Sequence, residues 1–360
     1  MPATTPRRAR SGRSGFTLVE LAVAITLATI IVAGLYQLFI VQSRQLQFLD
    51  MQTEMNQNLR FAADVVTRTV RQAGLGTADG VTGVLVNTTS AEALDPLQGY
   101  NDALSSGPDA ITVVHQDPSL TMNTSSQSIY PGDTSQLSFD LTMHDYRAKI
   151  GSYAAGEFLL CSDFANPLGF GSYMWEISGV SSSGDEGVVS VYSNSSYTDY
   201  NTVMPATQNL PPVMTCSKGE VVTFYIDNDS GDGVGPGSAD HPVLMMDLDY
   251  QWPDGDDVPL VDDIEDLQFA YCLQDTEGLH PCTSAAEWND TLATTEWPWM
   301  VRVNILARSR REEATGRYES TRPGLEDNVG ATSSDGYYRQ ILTTEVALRN
   351  MRMYSNLFDS

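Results

Sequence analysis

The sequence predicts an α+β protein: a long amino-terminal helix whose first half is transmembrane and whose second half packs on a carboxy-terminal antiparallel β-sheet domain. Three observations carry this. An apolar stretch runs from Phe16 to Val41 with a single charged residue, Glu20, in it. No proline occurs between Phe16 and Ala73, so nothing in that span forces a helix to break. Beyond Gly76 the chain divides into short β-prone runs separated by Gly, Ser, Asn, Asp and Pro clusters, the pattern of antiparallel sheet. The organisation that follows is a leader over residues 1–15, a helix over 16–73 with 16–41 in the membrane, and a β-rich domain over 74–360.

The leader carries Arg7, Arg8, Arg10 and Arg13 and no acidic residue. A secretory signal peptide places its cleavage site after the apolar region, next to small residues, whereas the Gly15/Phe16 junction lies before it. Cleavage there leaves the apolar segment on the mature chain. As a helix, residues 16–40 measure about 38 Å, enough to cross a hydrocarbon core of about 30 Å. Glu20 then lies in the apolar zone, where an ionised acid costs roughly 3 kcal/mol and calls for a partner. Cleavage exposes an amine on Phe16, four residues away, and head-to-tail stacking of subunits sets one chain's Glu20 against its neighbour's amine.

Past Ser43 the chain turns polar, yet Met55, Leu59, Ala62, Val66, Val70 and Ala73 recur at steps of three and four, with Arg60, Asp64, Arg68 and Arg71 between them. That is one apolar stripe of an amphipathic helix. Gly74 and Gly76 supply its stop.

Strands are expected over residues 110–115, 136–144, 157–161, 187–192, 220–226 and 243–252. Later segments alternate more clearly: Leu267, Phe269 and Tyr271 share one face, as do Val301, Val303 and Ile305, and 341–348 forms a last strand. Residues 178–185 and 317–336 read as surface loops.

The formal net charge is −26, and loss of the leader's four arginines takes it to −30. Such a surface is unsuited to binding nucleic acid, which relies on neutralising phosphates with Lys and Arg. Solubility outside the cytoplasm is the simpler meaning of the charge.

The basic leader, the Gly15–Phe16 junction, the acid five residues into the mature chain and the uninterrupted apolar run together resemble the class III signal of type IV pilins and pseudopilins. The resemblance implies that a prepilin peptidase cuts after Gly15 and methylates Phe16, and that Glu20 serves in assembly. The stretch from Val261 to Gln268 followed by Tyr271 is similar to a segment of PilW-type minor pilins, with Asp263 where that family usually has glycine. Residues 301–309 and 343–350 resemble the same family's carboxy-terminal strands, whereas residues 74–240 carry no such likeness. The family implies a minor pilin of the type IV pilus, a priming or tip subunit held in the inner membrane with its domain in the periplasm and then on the pilus at the cell surface. Its partners are other minor and major pilins, the prepilin peptidase and the inner-membrane assembly platform. A minor pseudopilin of a type II secretion system shares the same plan, and a pilus-tip adhesin is a further reading.

Cys161, Cys216, Cys272 and Cys282 all lie in the part that the signal sends to the periplasm, where an even count favours disulfides. Three pairings exist; Cys272 with Cys282 and Cys161 with Cys216 is the favoured set, because the first closes a short loop after an expected strand. No C-x-x-C occurs, which disfavours zinc. No resident cofactor is expected. Calcium is the one candidate ion, at Asp227, Asp229 and Asp232, where a run of oxygen ligands and glycines imitates the first half of an EF-hand loop. The second half fails, since position twelve counted from Asn228 is Ala239.

No G-x-S-x-G elbow, H-E-x-x-H or phosphate loop is present, and His115, His144, His241 and His280 stand in unrelated contexts, so no enzyme is expected. Trp288, Trp297 and Trp299 offer either an adhesive patch or core packing.

Overall fold

The computed structural model describes residues 17–76, 97–100, 107–124, 138–144, 150–162, 172–183, 186–192, 213–228, 235–248, 257–273, 282–284, 287–292, 298–312, 318–326 and 328–350. Two compact units emerge, residues 1–53 and 54–360.

Helix α1 (Leu18–Val70) runs without interruption. Its portion in the first unit is long and apolar enough to cross a membrane, and large apolar side chains such as Leu21, Ile25, Leu35 and Phe39 are exposed along it. Two threonines there are satisfied locally: the hydroxyls of Thr26 and Thr29 donate to the carbonyls of Ala22 and Ile25, the usual recourse of Thr in a helix without water.

In the second unit the expected stripe faces inward. Met55, Leu59, Ala62, Val66, Val70 and Ala73 are all buried. The helix stops at Val70, three residues before Ala73, and 71–76 form turns. Gly74 and Gly76 take positive φ values of 72° and 89°, where a side chain would be strained. These turns dock on the sheet, with Gly74 N donating to Val114 O and Gln116 N to Leu75 O.

Fifteen strands follow among the described residues: β1 (Leu97–Tyr100), β2 (Ala110–Thr124), β3 (Ser138–His144), β4 (Phe158–Ser162), β5 (Ser172–Ser183), β6 (Glu186–Tyr192), β7 (Thr215–Asp227), β8 (Val243–Asp247), β9 (Val258–Asp262), β10 (Ile264–Leu273), β11 (Trp288–Asn289), β12 (Pro298–Arg308), β13 (Ser320–Thr321), β14 (Ser334–Asp335) and β15 (Arg339–Ala347). Every pairing between them is antiparallel. Nine strands form one sheet in the order β1-β2-β3-β6-β5-β4-β7-β8-β9, and four form a second in the order β11-β10-β12-β15.

The larger sheet closes on itself, because β2 pairs with both β3 and β7. Six strands, β2-β3-β6-β5-β4-β7, thus make a ring. The closure depends on a bend in β2. Its ladder with β7 jumps between Asp117 and Met122, where Pro118 has no N–H to donate and the Asp117 carboxylate accepts from Ser119 N at 2.8 Å and Ser119 Oγ at 2.6 Å. Past this irregularity the strand runs on to meet β3. The expected strand of residues 110–115 therefore continues to Thr124, since a proline at a bulge redirects a strand without ending it. Each strand of the ring turns alternate side chains into one cluster that includes Met122, Leu141, Leu159, Trp175, Val189 and Cys216, the filled interior of a small barrel.

The 178–185 segment expected as a loop is a correction: 178–183 is the end of β5, laddered to β6 from Gly179↔Ser190 to Ser183↔Glu186. Its Ser and Gly content lowers strand propensity, but barrel closure supplies the cross-strand partners that decide. The 317–336 segment holds the short β13–β14 pair, and β15 begins two residues before the expected 341.

The main core joins α1 from Leu59 to Val70 with Ile111, Phe224 and Leu244 of the larger sheet and Phe269, Val303 and Val346 of the smaller one. Leu267, Phe269 and Tyr271 stand opposite Ile305, Val303 and Val301 in the β10–β12 ladder, and all six are buried in this core. The architecture is α+β as expected.

Candidate functional site

Gly15 and Phe16 lie outside the described residues. The helix opens at Thr17, whose backbone N and Oγ1 donate to Glu20 Oε2 at 2.9 and 3.0 Å while Glu20 N donates to Thr17 Oγ1 at 3.3 Å. This is a capping box: two donors left over at a helix start are satisfied reciprocally by Thr and by Glu three residues on. The Thr17–Glu20 spacing is the signal for it in the sequence, where the charge of Glu20 is the more conspicuous feature. The cap holds the Glu20 carboxylate over the first turn, at the amino-terminal end of the helix.

At the other end of the chain, β9 and β10 are joined through Asp263, which has φ 62°. Glycine or asparagine adopts that conformation most readily; here a buried aspartate does so. Its carboxylate lies 3.4 Å from His241 Nδ1, and its carbonyl accepts from Arg308 N at 3.0 Å. Burial raises its pKa, against His241 and Arg310, which lower it.

Directly after this turn the β10–β12 ladder shifts between Ile264 and Asp266. One extra residue in β10 sends two successive carboxylates to different partners, as a bulge does. Glu265 meets the Arg339 guanidinium at 2.6 and 2.9 Å, and Arg339 also grips Asp335 with two bonds of 2.6 Å. Asp266 is fully buried and accepts from Arg322 Nη2 at 2.6 Å and Asn328 Nδ2 at 3.0 Å. Gln268 and Asn328 both donate to Gly107 O. Desolvation raises the pKa of Asp266, opposed by Arg322; Asp335 is lowered, chiefly by its bond to Arg339. Together these groups pin 318–340 and Gly107 onto the smaller sheet. Asp109 ties the sheets together: its N donates to Leu267 O at 2.8 Å and its Oδ2 accepts from Phe269 N at 2.9 Å.

The cysteines pair as Cys161–Cys216 and Cys272–Cys282. The first pair is directly cross-strand between β4 and β7 and buried in the barrel. The second ties the end of β10 to Cys282, ahead of β11. Trp288 and Trp299 are buried with Ala270 and Cys272, so they act as core; Trp297 lies outside the described residues.

Of the expected calcium ligands, Asp229 and Asp232 lie outside the described residues. Asp227 is buried and its Oδ2 accepts from Gly237 N at 2.7 Å, an approach so close that a Cβ on Gly237 would fall 2.2 Å from Asp227 O. Among the described residues no three His, Cys, Asp or Glu side chains come together as metal ligands.

No curated protein and no solved structure matches the chain. Residues 10–36 match the prokaryotic N-terminal methylation motif, the stretch that holds Gly15, Phe16 and the capped Glu20. Residues 223–350 match the family of type IV pilus-assembly protein W, a span that contains the Asp263 turn, the paired carboxylates and all of the smaller sheet. Both families are structural pilus components, and the chain is similar to the methylation-motif family at its amino-terminal end and to the pilus-assembly protein W family over residues 223–350.

Proposed function

We propose that the chain is a noncatalytic minor pilin that primes assembly at the pilus tip. After cleavage at Gly15/Phe16 and methylation of Phe16, the subunit waits in the inner membrane through residues 16–41 with its domain in the periplasm. It then enters the filament as Glu20 pairs with a neighbour's amino terminus. The partners on this reading are other pilins, the prepilin peptidase and the assembly platform.

The observation that carries the tip assignment is the closed barrel. Its core is separate from the one α1 builds, so it is an additional body that a shaft would have to accommodate at every repeat, whereas an end leaves it room. Deletion of the gene, with surface pili and secreted proteins both counted, tests the reading. Loss of pili with normal secretion is expected. Normal piliation with lost secretion would assign the subunit to a type II secretion system.

A further inference from the structure

The geometry points to a docking groove on the second unit for a basic helix of another subunit. This rests on the reading of the chain as an assembly subunit. A groove of about 500 Å³ runs between α1 and the outer strand β9 of the larger sheet. Glu54, Gln57, Asn58 and Phe61 form one wall, at the i, i+3, i+4 and i+7 spacing of a single helix face; Leu260 and Asp262 stand on the other. Phe61 is 53% exposed, an aromatic ring presented to solvent from a helix whose opposite face fills the core.

The chemistry of the groove selects its occupant. No Lys or Arg lines it, and neither the Glu54 nor the Asp262 carboxylate has a hydrogen bond or ion pair among the described residues. A groove that sets Phe61 and Leu260 beside two unneutralised acids complements a cation carried beside an apolar side chain. An added strand is disfavoured as the guest. Pro259 offers β9 no N–H to pair, and the Asp262 carbonyl is already taken by Asn58 Nδ2 at 3.0 Å. A helix, which brings its own backbone bonds satisfied and needs only side-chain anchors, meets neither obstacle. The same chain shows that such a face is within the repertoire of these subunits: Arg60, Arg68 and Arg71 are exposed on its own α1 and the turn that follows.

The test uses the full chain in its cells, with a photoreactive benzoyl-phenylalanine in place of Phe61. Irradiation is expected to crosslink the chain to another subunit bearing a class III signal, at a helical peptide with a Lys or Arg within one turn of the attachment point. In Glu54→Lys/Asp262→Lys the yield should fall about tenfold, as reversal of two rim charges turns attraction into repulsion. The shape-preserving Glu54→Gln/Asp262→Asn pair, which guards against a folding defect, should give a smaller loss of about threefold. Crosslinks to lipid alone, to a protein without the signal, or at unchanged yield in both variants would overturn the proposal, as would no crosslink at all. The pilus reading fails separately, by normal piliation in the deletion strain, and the groove is then judged on the crosslink alone.

Discussion

The Arg322 guanidinium meets the Asp266 carboxylate at 2.6 Å, and that carboxylate is entirely withdrawn from water. Arg322 comes from the long segment before β14 and Asp266 from a bulge in β10, so the pair fastens a loop to the sheet. Removal of one partner leaves the other as an uncompensated buried charge, which costs on the order of 3 kcal/mol. Arg322→Met should lower the unfolding free energy of the full chain by about that much, read by tryptophan fluorescence in denaturant. The loss should shrink on acidification. With its pKa raised by desolvation, Asp266 contributes stability that is fully present below its unfolded pKa and lost as pH rises through the folded one; removing Arg322 raises the folded value further.

Asp263 couples two penalties, a left-handed backbone and a desolvated carboxyl. Asparagine tolerates the same φ and carries no charge. Asp263→Asn should therefore stabilise the protein at neutral pH by about 1 kcal/mol, and the advantage should fade as pH falls through the folded pKa of Asp263, where the wild-type carboxyl is itself neutral. An equal effect at all pH values would assign the change to the backbone alone.

Arg339 holds Glu265 and Asp335 each by two bonds, a geometry a planar guanidinium satisfies and a lysine cannot. Arg339→Lys should cost about 1 to 2 kcal/mol and raise amide exchange around β13 and β14 before it affects β10 or β12. Because the Asp335 pKa is lowered, its share of this stability is present above the unfolded pKa and lost as pH falls through the folded value.

Loss of the barrel's disulfide should be felt within the barrel. Cys161 and Cys216 are 55 residues apart and Cys272 and Cys282 only 10. In the chain-entropy account the two crosslinks contribute about 4 and about 3 kcal/mol. Cys161→Ser/Cys216→Ser should lower the melting temperature more than Cys272→Ser/Cys282→Ser, with exchange rising first in β4 and β7; the reverse ranking would show that the longer loop is held by packing.

Two substitutions at Glu20 separate its cap from its charge. Glutamine keeps the reciprocal bonds with Thr17 that a capping box needs, whereas alanine does not. If the charge serves in assembly, Glu20→Gln and Glu20→Ala should both reduce incorporation into pili about tenfold or more, the worth of one charge-assisted bond. Full incorporation of the glutamine variant would reduce Glu20 to a helix cap.

What this sequence determined by itself are the features that local periodicity and chemistry specify. The apolar run, the absence of proline to Ala73 and the Met55-to-Ala73 stripe announced α1 and its buried face. Alternation placed Leu267, Phe269, Tyr271, Val301, Val303 and Ile305 on the correct sides of their strands, because a two-residue period leaves only two choices of face. The tertiary structure alone decided the closure of the larger sheet into a ring. That outcome depends on pairings between residues far apart in the chain, such as Met122 with Cys216, which no window of sequence contains. It also decided that Glu265 and Asp266, adjacent acids in an acidic chain, reach two different arginines: a bulge is a property of the ladder between two strands, and its consequences appear only when both strands are in place.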